Sequence, residues 1–157
     1  MLLSVPGKGL YRIILERVRE AVDPKLRDQQ AGFQRNRSCA VQTASLRIIV
    51  EQSIEWNSIL YINFIDFEKA FDSVDRELLW KLLRHYVVPD KIISLIQCTH
   101  KDLSCKIAHA SQLSESFEVK TGVRQGCLVS PFLFLPVIDG IMKITTTGRS
   151  NGIQWTL

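Results

Sequence analysis

The run Ile59-Leu60-Tyr61-Ile62-Asn63-Phe64-Ile65 constrains this chain more than any other stretch. It is apolar and rich in β-branched and aromatic residues, and it ends in Asp66. The chain then turns through Phe67-Glu68-Lys69-Ala70 to an aromatic, Phe71, and a second carboxylate, Asp72. Such a run reads as a buried strand over 59–66 that delivers Asp66 at its end. A carboxylate held there suits a hard divalent cation, because Mg²⁺ takes oxygen ligands and usually completes its shell with phosphates. A strand-end Asp also commonly starts a turn, and Phe71 also fits simple core packing.

The remaining pattern is a mixture of helices and strands. Leu10, Ile13, Ile14, Arg17, Val18 and Ala21 lie at helical spacing and predict a helix over 9–22, stopped by Asp23-Pro24. Residues 28–38 are polar and loop-like, and Ser38 is placed to cap a helix over 39–55 carrying Val41, Ala44, Ile48 and Ile49. Asp75 is placed to cap a helix to about Tyr86, with Leu78, Leu79, Leu82 and Leu83 inward. Pro89 suits the first turn of another helix, to about His100. Residues 103–110 and 115–121 read as a hairpin joined by Ser111-Gln112-Leu113-Ser114. An apolar helix is expected from Val129 to about Thr145, then a turn over 148–152 and a final strand from Ile153. One α/β (α+β) domain results, with helices packed on a sheet.

Composition narrows the class without naming it. The 157 residues are 46% hydrophobic and 23% charged, as in ordinary globular proteins, and no apolar run is long enough to suggest a membrane span. The formal net charge of +4 permits contact with nucleic acid without requiring it. Arg12, Arg17, Arg19, Lys25, Arg27, Arg35 and Arg37 crowd the N-terminal part, which reads either as a solvated face or as a phosphate-binding one. Four cysteines without a CxxC pair, and three histidines without metal-binding spacing, argue against zinc and for free thiols.

Two stretches carry a resemblance when taken together. Phe64-Ile65-Asp66-Phe67-Glu68-Lys69-Ala70-Phe71-Asp72 resembles the first catalytic palm motif of non-LTR (LINE-type) retrotransposon reverse transcriptases, and Gly122-Val123-Arg124-Gln125-Gly126-Cys127-Leu128-Val129-Ser130-Pro131-Phe132 resembles the next. Leu2 to Arg17 resembles the family's early fingers segment, and Ala31-Gly32-Phe33-Gln34-Arg35-Asn36-Arg37-Ser38 its second motif. The order and spacing of the four are specific.

The resemblance implies an incomplete right-hand polymerase fold: fingers over about 1–58 and 76–128, palm over about 59–75 and 129–157. It implies an RNA template, a DNA primer, deoxynucleotides, an intracellular setting in nucleus or cytoplasm, and two Mg²⁺ ions, with Mn²⁺ as a substitute. Asp66 and the Phe67 carbonyl would ligate metal, and Phe71 would select the sugar. Gln125 and Gly126 would lie along the incoming nucleotide, Ser130 and Pro131 would open the helix supporting the template, and Arg35 and Arg37 would face template phosphates.

The sequence also departs from the family. It has no Asp-Asp pair, whereas the family supplies its partner carboxylates from an Asp-Asp hairpin. It begins just inside the first fingers motif and reaches Leu157 before that hairpin and the thumb. Pro136 and Gly140 fall inside a helix, and Val87 stands where a helix stop favours glycine. These features point to a segment inactive by itself; residual RNA or DNA binding, or a retroelement remnant without function, are the alternatives. Unpaired edges at 59–66 and 153–157 are expected to make the chain marginally stable and prone to self-association.

Overall fold

The computed structural model describes residues 5–101, 103–109, 112–123 and 127–148. Its elements are α1 (Val5–Val22), a 3-10 turn (Asp23–Lys25), α2 (Cys39–Glu55), α3 (Arg76–His85), α4 (Asp90–His100), β1 (Ser104–Cys105), β2 (Ala108–His109), β3 (Gln112–Leu113), β4 (Phe117–Glu118) and α5 (Ser130–Thr146). The fold is mixed α and β, with helices dominant. α3 packs on α4 and α5, and α1 packs on α4 and α5.

One core joins these four helices. Ile14 and Val18 of α1, Leu79 and Leu83 of α3, Ile93 and Ile96 of α4, and Phe132, Leu133 and Leu135 of α5 are all buried in it. Each such side chain contributes roughly 1.5–3 kcal/mol by leaving water. α1 starts earlier than the pattern predicts, with Pro6 in its first turn, where a missing N–H costs nothing. Its buried stripe is also rotated. Tyr11, Ile14, Leu15, Val18 and Val22 face inward, while Ile13 is 63% exposed and Leu10 is also exposed.

α3 begins as expected, with Asp75 Oδ1 accepting the Leu78 N–H at 2.7 Å. Leu78 itself is exposed, and Trp80 takes a place in the core instead. The helix ends in a Schellman turn: the Val88 N–H donates to the Leu83 carbonyl at 3.0 Å and the Val87 N–H to the Arg84 carbonyl at 2.9 Å. Val87 sits in left-handed backbone, at φ 61°. Pro89 is the N-cap of α4, one residue before the first turn. α5 runs across Pro136 to Thr146, with Phe132, Leu133, Leu135 and Pro136 itself buried. Burial of that stretch outweighs the roughly 3 kcal/mol that an interior proline costs.

The hairpin exists with a different tip. β1 pairs with β4 (Cys105 opposite Phe117) and β2 with β3 (Ala108 opposite Leu113), so Gln112 and Leu113 are strand residues rather than a connection. Between the two ladders, residues 106–107 face residues 114–116, a bulge in which the Ser114 hydroxyl accepts the Ile107 N–H at 2.9 Å.

Residues 59–66 and helix α2 also depart from expectation. Residues 59–66 do not form a strand: the backbone there has no ladder partner among the described residues, and Ile59, Tyr61, Phe64 and Ile65 are exposed. A strand is held by its neighbours, and the described residues supply none beside it. Helix α2 forms over the expected span, and the Ser38 hydroxyl accepts the Ala40 N–H as its cap. No α2 residue is buried, however, and Val41, Ile48 and Ile54 face outward. The expected strand over 153–157, and Gln125 and Gly126, lie outside the described residues.

Candidate nucleotide and template site

The turn after Asp66 is built from its own backbone. Lys69 takes left-handed backbone at φ 50°, and its carbonyl accepts the N–H groups of Asp72 and Ser73, each at 2.9 Å. That turn directs Phe71 inward, where its ring lies 5.1 Å from that of Phe134 on α5. Asp66 is exposed on the segment leading in.

The glycine-led stretch docks directly on this turn. The Gly122 N–H donates to the Val74 carbonyl and the Val123 N–H to the Phe71 carbonyl, each at 2.8 Å. Gly122 has φ +79°, and a Cβ there would come within 2.7 Å of the Asp72 Cα and 2.8 Å of the Phe71 carbonyl oxygen. Only glycine allows both the backbone angle and the approach. Arg76 locks the junction. Its guanidinium donates to the carbonyls of Gly122 (2.9 Å), His100 (3.1 Å) and Thr121 (3.2 Å). The reach of Arg76 was not legible in the sequence, since nothing local separates it from any arginine in a helix's first turn.

The two quoted stretches are therefore one assembly, and Val123 and Cys127, which flank Gln125 and Gly126, are both buried. Phe67 lines a groove of about 230 Å³ with Phe134, Val137, Ile138 and Ile141 of α5. Among the described residues, no three His, Cys, Asp or Glu side chains converge to hold a metal ion. Asp66 and the Phe67 carbonyl alone do not make a two-metal site, which needs several more oxygen ligands.

Basic residues meet α5 at more than one level, Arg19 at Phe132 and Arg27 at Asp139. Ser130 opens that helix and is buried; Pro131 follows it. Arg19 lies over the Phe132 ring, 5.5 Å from its centroid, and donates to Glu16 at 3.4 Å. Arg35 donates to the same Glu16 oxygen at 3.4 Å. Arg35 is thus linked through Glu16 and Arg19 to the first turn of α5. Arg37 donates to both the carbonyl and the carboxylate of Asp28, the latter at 2.8 Å. Both arginines keep solvent-facing surface, and exposed ion pairs of this kind hold side chains only weakly.

Sequence reasoning missed Asp139. It lies on α5 with a side chain wholly removed from solvent. One carboxylate oxygen accepts the Arg27 backbone N–H and Nε, both at 3.2 Å; the other accepts the Tyr86 hydroxyl and Lys143 Nζ, the latter at 2.7 Å. Burial alone would raise its pKa. The bonds from Lys143, Tyr86 and the Arg27 N–H, with the Lys143 charge, outweigh burial and hold it below the usual 3.8. Tyr86 moves the other way, raised above 10 by burial first and then by its bond to the carboxylate. The i,i+4 spacing of Asp139 and Lys143 was the one signal available.

Comparison with known proteins gives the class of domain to which the assembled stretches belong, the polymerase fingers–palm class. Residues 1–154 match the family described as reverse transcriptase (RNA-dependent DNA polymerase), and the chain belongs to that family. It is 28% identical over 146 residues to a retrovirus-related Pol polyprotein from the type-2 retrotransposable element R2DM of Drosophila melanogaster, covering 90% of this chain and 13% of the relative. It is 26% identical over 140 residues to the Pol polyprotein of a type-1 R2 element of Nasonia vitripennis, covering 89% of this chain and 14% of the relative. A type-1 R2 polyprotein of Popillia japonica is 26% identical over 135 residues, with 85% and 19% covered. The non-LTR resemblance read from the sequence holds, and the chain spans less than a fifth of the length of these relatives.

Proposed function

We propose that this chain is the fingers and partial palm of a retrotransposon RNA-directed DNA polymerase, an incomplete right hand that grips an RNA template and DNA primer. The observation that carries the reading is the docking of Gly122-Val123 on the Phe71–Val74 turn, which brings the two family stretches into one assembly. In a complete enzyme Asp66 and the Phe67 carbonyl would help to hold Mg²⁺ or Mn²⁺, which would supply charge stabilisation for phosphoryl transfer. Gln125 and Gly126 lie along the incoming deoxynucleotide. Ser130 and Pro131 start the helix that supports the template, and Arg35 and Arg37 contact its phosphates. The setting is intracellular, in nucleus or cytoplasm.

For the 157 residues alone the reading is binding without catalysis, because the chain holds no Asp-Asp pair and the described residues hold no metal cluster. Primer extension on an RNA template with Mg²⁺ or Mn²⁺ is expected to give no product above an Asp66→Ala control. Extension that depends on Asp66 would overturn it. Phe71 is proposed as the sugar-selecting aromatic, its ring steadied by Phe134. In a complete polymerase carrying this segment, Phe71→Val is expected to admit ribonucleotides while deoxynucleotide use persists. Unchanged discrimination would leave Phe71 with core packing alone.

A further inference from the structure

We infer that Asp139 is a positioning residue for the basic loop over 27–37, acting through Arg27 at the start of that loop; the inference rests on the proposed role of Arg35 and Arg37. The loop follows α1 and the 3-10 turn, and Leu26 just before it and Ala31 within it are buried. Arg27 is fixed to Asp139 twice, by its backbone N–H and by its Nε, both at 3.2 Å. Lys143, bonded to the same carboxylate, donates to the Lys25 carbonyl at 3.1 Å. Lys25 Nζ in turn donates to the Tyr86 carbonyl at 3.0 Å, at the end of α3. The start of the loop is therefore pinned to α3 and α5 by one buried cluster.

That pin passes along the loop. The Gln30 N–H donates to the Arg27 carbonyl at 3.0 Å, which fixes the turn. Arg37 closes back onto Asp28, the residue after Arg27. Arg35 then reaches Glu16. The ties of Arg35 and Arg37 are exposed ion pairs and hold little by themselves, whereas a buried carboxylate with four donors has one arrangement only. The placement of two phosphate-facing arginines is set by a carboxylate that touches neither.

The test compares the full chain with Asp139→Asn, using Tyr86→Phe as a control that removes a donor from the cluster and leaves Arg27 tied. Amide hydrogen exchange over 26–37 is expected to quicken about tenfold or more in Asp139→Asn while the core amides of α3 and α4 keep their protection. The slope of log affinity for RNA against log salt is expected to fall by about 1.4, the share of two phosphates on a single strand, and to stay unchanged in Tyr86→Phe. Where Asp139→Asn fails to fold by circular dichroism, Arg27→Met takes its place with exchange over 28–37 as its readout, expected to quicken with the core amides unchanged. Exchange that quickens evenly over the whole molecule, or a loosened loop with an unchanged slope, would overturn the inference. An Arg35→Ala/Arg37→Ala variant separates the two claims. If it keeps the original slope, the phosphate-contact reading fails, and exchange alone decides whether Asp139 positions the loop.

Discussion

Val87 holds a left-handed backbone angle with a β-branched side chain that is 67% exposed. The angle closes the Schellman turn, and the side chain gains nothing from burial in return. Left-handed backbone costs an L-residue about 1–2 kcal/mol, and glycine gives back roughly half of that in chain entropy. Val87→Gly is expected to stabilise the chain by about 1 kcal/mol, read as a higher urea midpoint with an unchanged slope. Gly122 is the opposite case. Gly122→Ala would drive a Cβ into the backbone of Phe71 and Asp72. A loss of more than about 2 kcal/mol is expected, and full retention of stability would show that the junction is looser than described. Val87 was legible because helix-stop logic is local. The crowding at Gly122 was not, because Asp72 is distant in sequence. The Tyr86–Asp139 pair sets pH limits on both sides. Asp139 is depressed, so its contribution is present above about 3.8 and is lost as pH falls through its folded value. Tyr86 is raised, so its contribution is complete below about 10 and is lost as pH climbs toward its higher folded value. Denaturation midpoints across pH are expected to fall at both ends, and Tyr86→Phe should remove the alkaline fall.

At the scale of elements, spans were more legible than faces. The helix spans followed from caps and breakers: Ser38, Asp75 and the Asp23-Pro24 stop act through bonds within a few residues. The inward face depends on what packs against it. In α1, shifting the stripe from Leu10 and Ile13 to Tyr11 and Leu15 keeps the same helical period, so periodicity could not choose. The run over 59–66 misled for a related reason. Its residue types describe a strand buried by neighbours, and strand formation belongs to the pair. Gly140 shows the limit of propensity from the other side. A Cβ there would meet Leu82 Cδ2 at 3.5 Å, an ordinary contact. Gly140→Ala is therefore expected to stabilise α5 by up to about 1 kcal/mol in thermal or urea melts. Destabilisation would mean that α3 and α5 approach more tightly than the structure shows.

The described residues form a four-helix core and an arm whose apolar side chains are exposed. Helix α2 and the segment after it expose Val41, Ile48, Ile54, Trp56, Ile59, Tyr61, Phe64 and Ile65. Exposed apolar surface on this scale, with an unpaired run rich in aromatic and β-branched residues, favours association between chains. Light scattering at micromolar concentration is expected to show growth during refolding, and Phe64→Lys should suppress it; a clean monomer in both would contradict that. Among the described residues no helix is long and apolar enough to cross a membrane. The core itself supports the family assignment, because it holds the Asp66 turn, the Gly122 junction and the start of α5 in one body. Its basic loop is the proposed grip on template and primer. Fluorescence anisotropy of a labelled RNA–DNA template–primer, titrated with the chain at several salt concentrations, tests it most directly. Affinity should fall steeply with rising salt, and the slope should shrink when Arg35 and Arg37 become alanine. No binding at low salt, or binding indifferent to salt and to both arginines, would overturn the proposed grip.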